Sequence, residues 1–250
     1  MQKVNNDIYN ELGERWYCAH DDPVALLRAE SKLRNPWVLE KLKLIFGEQK
    51  NLRILDVGCG GGFLSNYLSA NGYRVSGIDL SQESLEVAKK YDKTHKVQYQ
   101  LADAQSMPFA DASFDVITAM DFLEHVENPS LIIKEISRVL KPGGSFFFHT
   151  FNRNLLSWFV IIKLVEIFVK NTPPHMHVLH LFIKPEELKN YCAQADLQTK
   201  EFIGYKPNLL SIKTLRSFLS GVVPEDFSFR FTKSLLTSYS GYAVKMLPKV

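Results

Sequence analysis

The spacing of apolar residues changes twice along the chain. Over 23–46 apolar positions recur at helical intervals, and Pro23 and Pro36 stand near the starts of two segments, 23–34 and 37–46, so two lead-in helices are predicted. From Asn51 short apolar runs alternate with amphipathic stretches. Strands are predicted at 52–57, 73–78, 97–101, 114–119 and 145–150, with helices near 63–70, 84–90 and 129–140 between them. Asn71-Gly72 closes the first of these helices, Ser81 caps the second, and 141–144 makes a turn. Phe146, Phe147 and Phe148 are consecutive, and successive residues of a strand point to opposite faces, so the fifth strand is buried on both sides. Alternation of this length predicts an α/β fold with a Rossmann-like, doubly wound parallel sheet that binds ligands beyond the carboxyl ends of its strands.

After Thr150 the alternation stops. Residues 155–169 are apolar except for Ser157, Lys163 and Glu166, and Lys163 and Glu166 are spaced to pair on one helical face. The run is shorter than the ~20 apolar residues that a membrane crossing needs. It reads as a buried helix, a cover over a substrate or a segment lying in a membrane surface. A helix is predicted from Lys184-Pro185 to about Ala195 and strands at 197–204 and 238–246, with a helical or irregular insertion at 208–231. Residues 151–181 and 206–235 lie off the scaffold and are the places for substrate contacts.

Size and composition narrow the class. At 250 residues with 46% hydrophobic content the chain suits one α/β domain: a helical lead-in (1–50), a ligand-binding core (51–150) and substrate-side additions (151–250). A formal net charge of +3 without a dominant Lys/Arg block argues against nucleic acid. Three widely spaced cysteines, Cys18, Cys59 and Cys192, argue against a disulfide framework, and the polar first sixteen residues lack the apolar core of a secretion signal, so a cytoplasmic location is expected.

The chemistry begins at 53–79, RILDVGCGGGFLSNYLSANGYRVSGID, where four glycines in five residues (Gly58, Gly60, Gly61, Gly62) join a strand to a helix and the next strand ends at Asp79-Leu80. Glycines let a ligand approach the backbone, and an acid at the next strand tip accepts hydrogen bonds from ribose hydroxyls. Dinucleotide-binding folds share these features. Asp56, two residues before Gly58, repels a pyrophosphate and welcomes an ammonium, so S-adenosylmethionine suits the turn better. Asp103-Ala104 after the third strand can accept from an adenine amino group; alternatively Asp103 only forms a turn.

The fourth strand runs into Met120-Asp121-Phe122-Leu123-Glu124-His125, placing three ionisable side chains where a transferable methyl would sit. A phenolic acceptor has a pKa of about 10, which a base or a divalent cation must overcome. Asp121, Glu124 and His125 suit either task; a base ranks above a metal, because three residues within five positions do not fix coordination geometry. His175, His177 and His180 read as a loop with partly buried histidines, one of which reaches the substrate, and His149 reads as structural.

At LDVGCGGG, GID and LKPGG the chain resembles class I S-adenosylmethionine-dependent methyltransferases. At MDFLEHVENP, FNRNLLSWF and HLFIKPEEL it resembles the O-methyltransferases of ubiquinone biosynthesis. The resemblance implies a mostly parallel sheet with an antiparallel C-terminal strand and a helical lid. It implies cofactor contacts at Gly58, Asp79 and Met120, to which the residue reading adds Asp56, Gly60, Leu80, Asp103 and Ala104. It further implies a divalent cation such as Mg²⁺ at Asp121, Glu124 and His125, and substrate contacts at His177 and Trp158. The implied acceptor is a catechol or hydroxyphenol oxygen on a polyprenylated ring, with peripheral contact of 155–169 at the inner membrane face. Three departures stand out: Asp121 replaces the family's Glu, Val38 stands where an Arg that contacts the cofactor follows Asn-Pro by two positions, with Arg34 as the candidate substitute for that contact, and Val178 replaces an acid of the His177 loop. A methyltransferase for carbon or nitrogen acceptors and a cofactor-binding protein without turnover remain the alternatives.

Overall fold

Residues 54–57, 75–78 and 116–120 combine β-branched and apolar side chains, and burying them on both faces produces the centre of the molecule. The computed structural model describes residues 3–208 and 220–248. Five parallel strands are β1 (Arg53–Val57), β2 (Arg74–Asp79), β3 (Gln98–Leu101), β4 (Phe114–Met120) and β5 (Leu140–Phe151). Three more follow: β6 (Leu197–Pro207), β7 (Phe229–Thr232) and β8 (Ser238–Lys245). The sheet order is β3-β2-β1-β4-β5-β8-β6-β7, with β8 antiparallel to both neighbours.

Helices cover both faces. α3 (Val24–Phe46) and α4 (Phe63–Ala70) bury Leu42, Leu64 and Leu68 with Phe147 on one side. α6 (Pro129–Val139) and α9 (Pro185–Gln194) bury Ile133, Ile136 and Leu188 with Phe146 and Phe148 on the other. The three phenylalanines are each fully buried, as alternation of faces along β5 requires. α5 (Gln82–Tyr91) begins at Ser81, whose side chain accepts from the Ser84 amide. Two short helices, α1 (Ile8–Glu11) and α2 (Arg15–Cys18), lie across the carboxyl ends of the strands.

Three expectations need correction. The lead-in is one helix, not two: Pro36 sits inside α3 on its exposed side, where the carbonyl of Lys32 can be hydrated instead of bonded, so the ring is tolerated. The turn at 141–144 is a bulge within β5, whose pairing to β4 jumps from Phe114–Leu140 to Val116–Ser145. Part of the insertion at 208–231 contributes to the sheet, since β7 pairs with β6 through Lys206–Arg230; residues 209–219 lie outside the described residues.

Residues 155–169 form neither a buried helix nor a regular one. α7 (Leu155–Ser157) passes through a π-helical stretch, Trp158–Leu164, into α8 (Val165–Phe168). Lys163 and Glu166 pair at 2.6 Å as their spacing predicts. Ile161, Leu164 and Val165 line a cavity below, whereas Leu155, Phe159 and Ile167 face outward. Among the described residues no helix is long and apolar enough to cross a membrane.

Candidate active site

A cavity of about 940 Å³ opens at the carboxyl ends of β1, β2 and β4. Its walls include Asp56, Gly58, Gly60, Asp79 and Leu80, and also Asp103, Ala104 and Met120. Asp121, His125 and His177 line it further along. Two candidates do not reach it. Glu124 is fully buried beside Thr150 of β5, and Trp158 is part-exposed with Lys163 over its ring.

The glycine turn is narrow for two reasons. Gly58 (φ +66°) and Gly60 (φ +49°) have left-handed backbones that side chains resist. The Trp16 ring lies so close over the turn that a Cβ on Gly61 would stand 2.7 Å from it. Trp16 donates from Nε1 to Ser84 Oγ (3.2 Å), and Tyr17 donates its hydroxyl to the Gly61 carbonyl (2.8 Å), so α2 is tied to the turn it covers. Asp79 accepts from the amides of Gly60 (2.8 Å) and Ser81 (2.9 Å); a carboxylate has about four acceptor positions, which leaves room for ribose hydroxyls. Asp56 is held from within the sheet, accepting from Ser65 and Thr118 hydroxyls at 2.6 Å each. Burial raises the pKa values of Asp56 and Asp79, and these hydrogen bonds oppose the rise. Asp103 accepts from the Gln105 amide (2.8 Å), a turn-forming contact, and also lines the cavity.

Beyond Met120 the backbone turns through a left-handed residue, Asp121 (φ +54°), into a 3₁₀ turn, Leu123–His125. This geometry separates the three ionisable side chains. Asp121 faces α3, where it ion-pairs with Arg34, and β5, where His149 Nε2 lies 3.3 Å from its Oδ1. Glu124 turns into the core, where burial and then Asp121 push its pKa well up. His125 faces the N-terminal segment. Among the described residues, the acidic and histidine ligand atoms that converge within 4.8 Å belong to Glu30, Asp121 and His149. Among the described residues the ligand atoms of Asp121, Glu124 and His125 do not converge within that distance, although Asp121 still acts electrostatically on both Glu124 and His125. His149, read as structural, is fully buried on β5 beside Asp121 and does not line the cavity.

His125 has a defined tautomer. Asn6 donates from Nδ2 to the His125 carbonyl (3.1 Å), which aims its Oδ1 at His125 Nδ1 (3.2 Å) and assigns the ring proton to Nδ1. Nε2 then carries the lone pair, facing the Tyr9 hydroxyl at 3.3 Å. The ring centroid of His177 lies 5.2 Å away. Burial pushes His125 down to about 4, with Asp121 opposing, and lowers His177 strongly. Sequence reasoning missed Asn6, Tyr9, Trp16, Glu30 and Tyr205, all of which line the cavity. Their one local signal was the cluster of aromatic residues, Tyr9, Trp16 and Tyr17, in an otherwise polar stretch.

His149 is likewise pushed down to about 4 by burial, against Asp121. The unfolded chain would bind this proton near the ordinary value of 6.5 and the folded chain only near 4, so the stability it contributes is full above 6.5 and falls as pH drops toward 4. Glu30 and Glu124 shift the other way, so the test is a difference between proteins. Between pH 7 and 5 wild type is expected to lose about 2 kcal/mol more than His149→Gln in urea titrations. Equal losses would contradict a neutral buried His149.

A doubly wound sheet with its glycine turn, acid-tipped strands and a neutral histidine in one cavity defines a class I S-adenosylmethionine-dependent methyltransferase. The Methyltransferase domain family model matches residues 55–148. The chain is 35% identical over 206 residues to the ubiquinone biosynthesis O-methyltransferase of Aromatoleum aromaticum (81% of this chain, 86% of the relative). It is 35% identical over 222 residues to that of Actinobacillus pleuropneumoniae (85% and 92%). The fold matches a SAM dependent methyltransferase from Aquifex aeolicus with a TM-score of 0.59 at 18% identity, covering 97% of this chain and 99% of that one. The chain belongs to the ubiquinone biosynthesis O-methyltransferase family.

Proposed function

We propose that this chain moves the methyl group of S-adenosylmethionine to a hydroxyl oxygen of a catechol or phenol ring carried by a lipophilic, polyprenylated quinone precursor. The observation that carries the reading is the make-up of one cavity: acids and glycines at one end, the Nε2 lone pair of His125 in the wall, and the apolar side chains of Ile161, Leu164 and Phe168 along the rest. The relatives named above are O-methyltransferases of ubiquinone biosynthesis, which supports the acceptor class.

Asp79 would hold the ribose hydroxyls, Asp103 and Ala104 the adenine edge beside Leu80, and Asp56, Gly58 and Met120 the cationic amino-acid end. His125 Nε2 takes the acceptor proton after Tyr9 gives way. In the same step the oxygen attacks the methyl carbon in line and the carbon–sulfur electron pair leaves on sulfur as a neutral thioether; exclusion of water by the N-terminal segment favours the reaction. His177, beside His125, orients the ring. Trp158 is not part of the pocket and belongs to the outer face. Asp121, Glu124 and His125 do not bring their ligand atoms together among the described residues, so no step is assigned to magnesium there. Methylation of prenylated catechols with radiolabelled cofactor tests the reading; a labelled aryl methyl ether is expected, and no label on any such ring would overturn it.

Leu155, Phe159 and Ile167 are 80%, 49% and 67% exposed, and they cap the wall that would hold a prenyl tail. This supports a peripheral membrane contact for 155–169. A Leu155→Glu/Phe159→Glu protein is expected to lose liposome co-sedimentation by about tenfold or more, at 1.4 kcal/mol per tenfold, and to keep its rate on a soluble short-chain acceptor. Unchanged co-sedimentation would remove the contact.

A further inference from the structure

A second groove, of about 630 Å³, lies at the amino-terminal ends of the strands, opposite the active-site cavity. Arg53 begins β1, Arg74 begins β2 and Lys96 stands just before β3; all three line the groove and are exposed. Arg53 and Arg74 are register partners in the parallel β1–β2 pair, and Ser76 is the partner of Gln98 in the β2–β3 pair. Alternate residues of a strand share a face, so Arg53, Arg74, Ser76 and Gln98 stand on one face of the sheet. Among the described residues no carboxylate lines the groove. The acids nearby are engaged elsewhere: Asp115 takes the Lys141 ammonium (2.6 Å) and the Arg53 amide (2.8 Å), and Asp92 takes the amides of Thr94, Lys96 and Val97. Arg53 lies over the Phe114 ring (5.2 Å), and none of the three cationic side chains has a hydrogen-bond or ion-pair partner among the described residues.

Neighbouring strands stand about 4.8 Å apart, and like charges facing one another across a strand pair destabilise a sheet. Charge at a sheet edge guards against strand addition, which accounts for Lys96 beside the outermost strand β3. It does not account for Arg53 and Arg74, whose strands are paired on both sides. An anion would relieve this repulsion. We propose that the groove is a second ligand site, which takes the phosphate or diphosphate group of a small molecule on Arg53, Arg74 and Lys96, with Ser76 and Gln98 as neutral donors. A guanidinium matches two phosphate oxygens at once, and a groove lined by one sign of charge concentrates anions. The lengths of β1 and β2 separate it from the active-site cavity by ~15–20 Å at ~3.3 Å per residue, so both can be filled together.

The test is calorimetry on the full-length protein at constant ionic strength, with S-adenosylhomocysteine present and inorganic phosphate, pyrophosphate or AMP as the probe. Pyrophosphate is expected to bind at one site per chain, and Arg74→Gln/Lys96→Gln to weaken it about tenfold or more, at 1.4 kcal/mol per tenfold. Phosphate and pyrophosphate bound without AMP would assign the site to a free anion, and AMP bound as well would assign it to a phosphate ester; either result supports the proposal. None of the three bound, equal affinity in the variant, or binding that disappears when S-adenosylhomocysteine is present would overturn it. Urea titration separates ligand binding from a role in the fold. Without anion the variant is expected to be at least as stable as wild type, because it removes like charges, and wild type should gain more stability from pyrophosphate than the variant does. A variant destabilised in phosphate-free buffer would mean that these cations serve the fold, and would overturn the proposal.

Discussion

His125→Ala is expected to lower turnover by about 10²–10⁴-fold, the usual effect of deleting a positioned general base, without changing affinity for S-adenosylmethionine. The expectation rests on the tautomer that Asn6 fixes: Nε2 presents an uncharged lone pair to the cavity, on the wall between Met120 and the N-terminal segment. Because burial holds the ring near 4, its base form predominates above that pH. The acidic limb of kcat/KM should therefore lie near 4 and not near the ordinary 6.5, with activity rising as pH passes through the limb and the imidazolium loses its proton. Imidazole added to His125→Ala should restore part of the rate. A wild-type rate in His125→Ala, with cofactor bound, would remove the base assignment.

The same value sets a second requirement. A phenol near 10 and an imidazole near 4 differ by about six pK units, or about 8 kcal/mol, so proton transfer cannot run as a separate step and must accompany methyl transfer or be aided by a nearby cation.

Legibility in the sequence followed the range of the forces involved. The glycine turn, the helix after it and the Ser81 cap are decided by residues within a few positions of one another, and the structure has α4 at the predicted bounds. Faces of β5 were equally readable, since three consecutive phenylalanines must alternate. The directions of the three ionisable side chains of the acidic motif were not legible, because they depend on which way the chain turns at Asp121. Both α3 and β5 compete for that carboxylate, and the pairings with Arg34 and His149 join positions remote in sequence. Pro36 suggested a helix start because its environment, an exposed side of a long helix, is not a local property. β7 was hidden for a similar reason: an edge strand of four residues, FRFT, has no distinctive period of its own and exists because β6 offers it an open edge.

Gly58→Ala is expected to lose cofactor binding and stability together. At φ +66° a side chain already costs about 1–2 kcal/mol, and the added Cβ would stand 2.2 Å from Phe122 Cδ2, 2.6 Å from its Cγ and 3.0 Å from its Cβ. Rotation of the ring does not clear the last of these, so the backbone of 121–122 has to move, and with it the carboxylate of Asp121 and the 3₁₀ turn that presents His125. Gly72→Ala supplies the contrast. Its φ of +88° carries similar backbone strain, but the nearest atom is Cδ of the flexible Lys50 side chain at 3.9 Å. Gly72→Ala should therefore cost about 1–2 kcal/mol in denaturant titrations and leave calorimetric binding of S-adenosylmethionine unchanged. Gly58→Ala should destabilise more and weaken that binding by about 10²-fold or beyond, at 1.4 kcal/mol per tenfold. Equal cofactor affinity in the two variants would mean that the turn is shaped by Phe122 and Trp16 alone, and that the ligand lies elsewhere in the cavity.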